Sequence, residues 1–219
     1  MFIPLKDLNP RVRPPVVTVL LIAANIASFL YTIMLPPQVG QALVYQMAMV
    51  PARIPLSLSG HGVTLAQAFL PFLTSMFLHS GALHLAGNML FLWVFGDNVE
   101  DYLGHFEYLL FYVVCGVGAG LTHTLINLNS TLPALGASGA VSGVMGAYLV
   151  LYPRARVLTL IFIFLIPVPA IIVLGSWFVL QFLGGLDSLG RLSSGGVAWF
   201  AHIGGFLLGM FLVHGSKRR

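Results

Sequence analysis

Four polar side chains in this strongly apolar sequence have the types and spacing needed for acyl-transfer chemistry. They are Ser138, His202, His84 and Asn88. A serine hydroxyl is a weak nucleophile at neutral pH and needs a base within hydrogen-bond reach, most often a histidine. We therefore interpret Ser138 as a nucleophile and His202 as its general base.

Acyl transfer also requires hydrogen-bond donors aimed at the developing oxyanion. Ser138 begins an apolar segment, and a residue at a helix start has a free backbone N–H and the positive end of the helix dipole beside it. Asn88 offers a side-chain amide, and His84, four residues earlier, lies on the same helix face. We expect these three donors to line the oxyanion site, with Gly136 and Ala137 contacting the substrate.

Each of these residues also has a purely structural interpretation. Ser138 can serve as a helix cap within a small-residue packing face, as is common in membrane helices. His202 can hydrogen-bond a backbone carbonyl, and His84 with Asn88 can bond neighbouring helices. A haem held between His84 and His202 would leave Ser138 and Asn88 unexplained. With no HExxH motif, we expect no metal and no cofactor.

The composition restricts the protein class. Of 219 residues, 58% are hydrophobic and 7% charged, and the mean hydropathy is +0.95, whereas a soluble domain has roughly 25% charged residues. This predicts a multi-pass, all-α integral membrane protein with the lipid bilayer as its surroundings. The ten basic residues all lie outside the apolar runs, so we interpret them as setting membrane orientation and not as binding nucleic acid.

Apolar runs long enough to cross a bilayer predict six spans. They are residues 16–35, 82–96, 107–128, 138–152, 157–182 and 197–213. Pro167 and Pro169 predict a kink in the fifth span. An acidic loop is expected at 97–101, a Gly/Ser-rich loop at 184–196, and an interfacial or re-entrant segment at 38–78.

The basic residues cluster near both termini and after the fourth span, and only Arg53 and Arg191 fall on the opposite side. The positive-inside rule then places both termini in the cytoplasm. Spans two, four and six would all begin at the outer face. Their polar residues should meet at similar depth, since the small-residue ridge Ala201, Gly205 and Gly209 can pack on Gly139, Gly143 and Gly146. The acids near the second and third spans lie at the other face, which predicts a Ser-His dyad rather than a triad.

Three motifs, in this order, resemble the rhomboid family of intramembrane serine proteases. They are His84-x-x-x-Asn88, Gly136-x-Ser138-Gly139 and Ala201-His202-x-x-Gly205-x-x-x-Gly209. The resemblance implies a six-helix rhomboid core at 16–213, flanked by cytoplasmic tails at 1–15 and 214–219. It also implies a membrane-embedded first loop before span two, and a mobile substrate gate formed by span five and the loop after it.

Two positions depart from the family pattern. Some members carry a tyrosine one turn after the nucleophile, stacked on the catalytic histidine, but this chain has Ser142 there. Several members carry a Trp-Arg pair in the first loop, where this chain has only Arg53. Another group must therefore orient His202.

These observations predict an intramembrane serine endopeptidase that cleaves transmembrane protein substrates in or near their membrane segments. Helical substrates that unwind easily near the outer surface should be preferred. A catalytically silent, client-binding relative is the alternative, but such proteins lack the serine or the histidine. A transporter would show an inverted repeat, and none is visible. We expect a prokaryotic plasma membrane; the sequence does not indicate an oligomeric state.

Overall fold

The computed structural model describes residues 2–189 and 197–215 of the chain. Ten α-helices and three strands are found in this part. The strands are β1 (Phe2–Asp7), β2 (Arg156–Ile161) and β3 (Phe164–Pro169). The helices are α1 (Val16–Met34), α2 (Pro37–Met47), α3 (Arg53–Leu58), α4 (Leu65–Phe69), α5 (Pro71–Thr74), α6 (Ala82–Leu103), α7 (His105–Ile126), α8 (Ser138–Leu151), α9 (Ala170–Leu189) and α10 (Trp199–Gly215).

The fold is that of a predominantly helical, multi-pass membrane protein, as predicted. Within the described residues, α1, α7 and most of α9 are each long and apolar enough to cross a bilayer. Residues 65–77 and α6 pass the same test together, with a bend of 77° between them. The predicted fourth and sixth spans correspond to α8 and α10, which are apolar but have fewer residues than a full span.

The close packing of α8 on α10 confirms the predicted small-residue ridges. A side chain added at Gly205 or Gly209 would collide with the backbone carbonyl of Gly139 or Gly143 respectively. An added side chain at Gly146 would likewise meet the carbonyl of Phe206. Glycine is therefore required along this contact because only a hydrogen side chain lets the two backbones approach so closely.

A three-stranded antiparallel sheet, ordered β1-β2-β3, corrects the prediction of a fifth span at residues 157–182. Residues 157–169 form most of a hairpin, and the spanning helix α9 begins only at Ala170. Pro167 and Pro169 lie in the edge strand β3 and do not kink a helix, since a proline lacking an N–H is tolerated at a sheet edge. Strand β1 lies within the predicted N-terminal tail.

The predicted loop at 97–101 and the first six residues of the predicted loop at 184–196 are helical in the structure. The acids at 97–101 lie in the last turns of α6, and residues 184–189 belong to α9, which places Asp187 in a helix. The remainder of the predicted 184–196 loop from residue 190, with Arg191, and the basic end at 217–219 lie outside the described residues.

The first loop, between α1 and α6, is built from short helices and is anchored by Arg53. Its guanidinium donates hydrogen bonds to the carbonyls of Tyr45 at 2.9 Å and of Gln46 and Ala48 at 3.2 Å. These carbonyls are at the end of α2, where backbone acceptors have no helical partner. Arg53 also lies over the Tyr45 ring, with 4.8 Å from the guanidinium carbon to the ring centroid. One arginine thus fixes the loop without a tryptophan beside it.

Candidate active site

Ser138 is the first residue of α8, directly after a sharp turn of the chain. Gly136 has φ = 124°, a backbone conformation that favours glycine. Ala137 follows in helical geometry and is fully buried. As the first helical residue, Ser138 has a backbone N–H with no acceptor inside the helix. The hydroxyl and a free amide donor are therefore presented from the same residue.

His202 lies in the first turn of α10, opposite the start of α8. Its Nε2 atom is 2.8 Å from Ser138 Oγ, within hydrogen-bond reach. The two residues are 64 positions apart in the chain, and the glycine contacts between α8 and α10 bring them together. The structure therefore places the two residues interpreted as nucleophile and base in direct contact.

The other ring nitrogen of His202 contacts a residue that the sequence analysis missed. His202 Nδ1 is 2.7 Å from Oε1 of Gln181 on α9, and Gln181 is only 8% exposed. Trp177, one turn earlier on α9, has its ring 6.0 Å from the imidazole, at 37°. The sequence did contain a sign of Gln181, which is a lone glutamine in an apolar segment. A polar group at membrane depth is a candidate functional residue.

Ser142 does not take part in orienting His202. Its hydroxyl donates to the carbonyl of Ser138 at 2.6 Å, one turn back in α8, which is a common local bond of serine in helices. The aromatic group beside the imidazole comes instead from Trp177, on a different helix.

His84 lies against the turn that precedes Ser138. Its Nδ1 accepts a hydrogen bond from the backbone N–H of Ser80 at 3.5 Å and contacts the Ser80 hydroxyl at 3.0 Å. In the tautomer in which Nδ1 accepts both bonds from Ser80, Nε2 carries the hydrogen and is a donor. A Cβ atom at Gly136 would be 2.8 Å from His84 Nε2 and 3.6 Å from Ser138 Oγ. The two groups therefore flank the same small space.

Asn88 lies one turn further along α6 and is 8% exposed. Its Nδ2 is buried and has no hydrogen-bond partner among the described residues. A buried amide donor left unpaired is costly, and such groups in native proteins call for an explanation. Asn88 follows His84 by one turn on α6, and this position suits an amide that donates only to a reacting group.

A small cavity of about 40 Å³ lies on the α7 side of Ser138. Small and apolar residues dominate its walls, among them Gly116, Ala119, Gly120, Gly136 and Ala140. Ser75 adds a polar side chain, and its carbonyl accepts the backbone N–H of Gly136 at 2.9 Å. The cavity is large enough for a water molecule or a very small side chain.

The haem alternative is disfavoured by the contacts of His202, because both of its ring nitrogens already have partners, Ser138 and Gln181. In the described ranges no group of three or more His, Cys, Asp or Glu residues could hold a metal ion. His105 Nδ1 lies 2.6 Å from Glu100 Oε1. His79 packs edge-on against His84, with ring centroids 5.1 Å apart.

Comparison with known proteins gives a coherent set of similarities. A family model described as "Rhomboid domain" matches residues 66–217. The chain is 33% identical over 141 residues to "Rhomboid protein 1, mitochondrial" of Saccharomyces cerevisiae, covering 62% of this chain and 38% of that protein. It is 30% identical over 148 residues to "Presenilin-associated rhomboid-like protein, mitochondrial" of Homo sapiens, covering 65% and 37%.

A third relative is "Rhomboid protease GluP" of Bacillus subtilis, 40% identical over 77 residues, or 35% of this chain and 15% of that protein. The matched segments thus cover less than two fifths of each of these three relatives. Several relatives carry mitochondrial or chloroplastic names, so the comparisons do not support the expected prokaryotic plasma membrane. An integral membrane location is supported by the apolar helices.

Proposed function

Because the chain belongs to the rhomboid family, we propose that it is an intramembrane serine endopeptidase that cleaves membrane-protein substrates with Ser138 and His202. The observation that carries the proposal is the 2.8 Å contact between Ser138 Oγ and His202 Nε2. Silent relatives would have no need of this pairing, whereas nucleophilic catalysis requires it.

In the proposed reaction, Ser138 Oγ attacks the scissile carbonyl carbon while its proton passes to His202 Nε2. The carbonyl oxygen becomes an oxyanion, which the Ser138 backbone N–H, the Asn88 amide and His84 Nε2 stabilise as donors. His202 then returns the proton to the leaving amine as the C–N bond breaks, which leaves an acyl group on Ser138. Water then attacks the ester carbonyl while His202 Nε2 takes its proton. The bond from this carbonyl to Ser138 Oγ breaks as His202 returns the proton to Oγ, and the acyl group leaves as a carboxylic acid.

The substrate class follows from the site's location within apolar helices. A transmembrane helix hides its carbonyls in backbone hydrogen bonds, so a scissile bond must first leave the helical conformation. Glycine and other poor helix formers lower that cost. We therefore expect single-span proteins with helix-breaking residues near one membrane surface to be cleaved, and Gly136 and Ala137 to lie beside the bound backbone.

The test is cleavage of a panel of tagged single-span proteins by the detergent-purified enzyme, compared with Ser138→Ala and His202→Ala. Both variants should lose activity, and a fluorophosphonate probe should label the wild type but not Ser138→Ala. Cleavage that survives either substitution would contradict the proposed dyad. A folded wild type that neither labels nor cleaves would support the client-binding alternative.

A further inference from the structure

We propose that Gln181 is a positioning residue that completes a Ser138-His202-Gln181 triad by fixing the tautomer and orientation of the imidazole. The inference rests on the proposed function and extends it, because the family resemblance and the sequence predicted only a dyad. It is carried by the 2.7 Å contact between His202 Nδ1 and Gln181 Oε1.

The contact decides which imidazole nitrogen carries the hydrogen. An amide oxygen only accepts, so Nδ1 must be the protonated nitrogen of neutral His202. Nε2 then has a lone pair directed at Ser138 Oγ, 2.8 Å away, which is the form that can remove the hydroxyl proton. In the other tautomer, Nε2 would carry the hydrogen and could not act as a base.

An amide is suited to this position by its lack of charge. Gln181 is 8% exposed on a helix long and apolar enough to span a membrane, where an isolated carboxylate would be costly to bury. The Oε1 atom continues to accept the Nδ1–H when His202 becomes an imidazolium. Gln181 can therefore support both protonation states without a buried charge in the resting enzyme.

Trp177 also restrains the His202 imidazole, by packing against the ring. It is four residues before Gln181, so both side chains lie on one face of α9, and its ring is 6.0 Å from the imidazole. Trp177 also packs on Phe206 of α10, at 5.9 Å between ring centroids. The packing of α9 on α10 thus holds the Gln181 amide against His202 Nδ1. Ser142 does not contribute to this support, because its hydroxyl is bonded to the Ser138 carbonyl.

The experiment compares Gln181→Met, which keeps the length but removes the acceptor, with Gln181→Glu, which keeps an acceptor. Leu180→Met is the matched control, because Leu180 is the neighbouring residue on α9 and is 61% exposed. We expect Gln181→Met to lower kcat by roughly 10²-fold, the lower end of what a positioned general base contributes, with KM nearly unchanged. Leu180→Met should behave as the wild type.

Gln181→Glu should retain far more activity than Gln181→Met, and the acidic limb of its pH–rate profile should move to higher pH. A carboxylate beside Nδ1 favours the imidazolium, so a higher pH is needed to obtain the neutral base. A merely structural role would not separate the activities of the two folded variants. Wild-type kcat and pH profile in Gln181→Met, or equal losses in folded Gln181→Met and Gln181→Glu, would overturn the triad.

¹⁵N NMR of histidine-labelled protein tests the tautomer without any substrate, with the His202 signals assigned by their absence in His202→Ala. The wild type should carry hydrogen on Nδ1, and Gln181→Met should show a mixture of tautomers. Hydrogen on Nε2 in the wild type would overturn the inference. This readout is independent of cleavage, so failure of the proposed protease function is distinguished from failure of the triad.

Discussion

At the scale of single residues, the unpaired Nδ2 of Asn88 makes the sharpest prediction. Asn88→Ala removes one of the proposed oxyanion donors and should lower kcat by roughly 10²- to 10³-fold. KM should be nearly unchanged, because in the proposed reaction the donor acts only on the transition state. Steady-state cleavage of a tagged substrate measures both constants.

Asn88→Leu provides the matched comparison, since its side chain has nearly the same shape but cannot donate. It should be as inactive as Asn88→Ala. Gly87→Ala, on the same helix with open space at its Cβ position, should be neutral. A raised KM at unchanged kcat would instead assign Asn88 to substrate binding.

Gly136 makes a second prediction at this scale, because two separate effects require glycine there. Its φ of 124° strains any other residue, and an added Cβ would stand 2.8 Å from the His84 ring. Gly136→Ala should destabilise the fold by about 1–3 kcal/mol and abolish fluorophosphonate labelling of Ser138. Thermal unfolding and probe labelling measure the two effects.

Gly62→Ala separates strain from collision, since Gly62 has φ of 75° but nothing within 4 Å of its Cβ position. It should destabilise less than Gly136→Ala and leave labelling intact. Full labelling in Gly136→Ala would show that the contact between His84 and the turn is dispensable.

The residue scale also shows what the sequence could reveal about the site. The sequence identifies four polar residues of the site because each lies near the start of an apolar run. They are Ser138, His202, Asn88 and His84. Gln181 escaped notice because a single amide has no spacing pattern, and its partner is 21 residues away on another helix. Its relation to His202 depends on how α9 packs, which local patterns do not determine.

At the scale of elements, buried Glu100 joins the start of α1 to the end of α6. Its two carboxylate oxygens accept the backbone N–H groups of Val17 and Thr18, each at 2.8 Å. Glu100 Oε1 also contacts His105 Nδ1 at 2.6 Å, and Glu100 is 1% exposed. A carboxylate at a helix N-terminus satisfies otherwise unpaired amides and complements the helix dipole.

Glu100→Gln should therefore destabilise the protein, because an amide has one acceptor oxygen where the carboxylate has two. We expect a loss of about 1–3 kcal/mol, measured by thermal unfolding in detergent. The matched control is Glu107→Gln, an exposed acid in the first turn of α7, which should change stability little. Equal stability of the two variants would show that the junction does not depend on the Glu100 charge.

Element boundaries were well predicted for α1 and α8 and poorly predicted before α9. The run from Val157 onward is apolar almost throughout, so length and hydropathy alone read it as a span. Successive side chains of β2 instead point to opposite faces of the strand, and Val157 and Thr159 are fully buried on one of them. The pairing of β2 with the distant strand β1 is a long-range contact that periodicity does not reveal.

At the scale of the whole molecule, the sheet ties the N-terminus of the chain to the segment between α8 and α9. Strand β1 pairs with β2 and packs beside α6, and Asp7 ends β1. Asn9 and Asn98 join the same region to α6 through a side-chain hydrogen bond of 2.9 Å. A change that destabilises this sheet is therefore expected to destabilise the helices that it joins.

Asp7 makes the stability of the whole molecule depend on pH. Burial raises the pKa of its carboxyl from 3.8 to about 6, although the Asn9 backbone N–H donates to Oδ1 at 2.8 Å. The nearby carboxylate of Asp97, itself 3.5 Å from Arg11, further disfavours the charged form. Between pH 4 and 6 the folded protein thus binds a proton that the unfolded chain does not.

The contribution of Asp7 to stability should consequently fall as pH rises from 4 through 6. The Asp7→Asn variant, which mimics the neutral carboxyl, should lose this part of the pH dependence. Thermal unfolding of the detergent-solubilised protein at a series of pH values, followed by tryptophan fluorescence, measures it. Asp7→Asn should gain on the wild type above pH 6 and match it near pH 4, while Glu107→Gln should follow the wild type throughout. A difference in unfolding midpoint between Asp7→Asn and the wild type that stays constant from pH 4 to 6 would show that the buried carboxyl does not control the stability of the assembled helices and sheet.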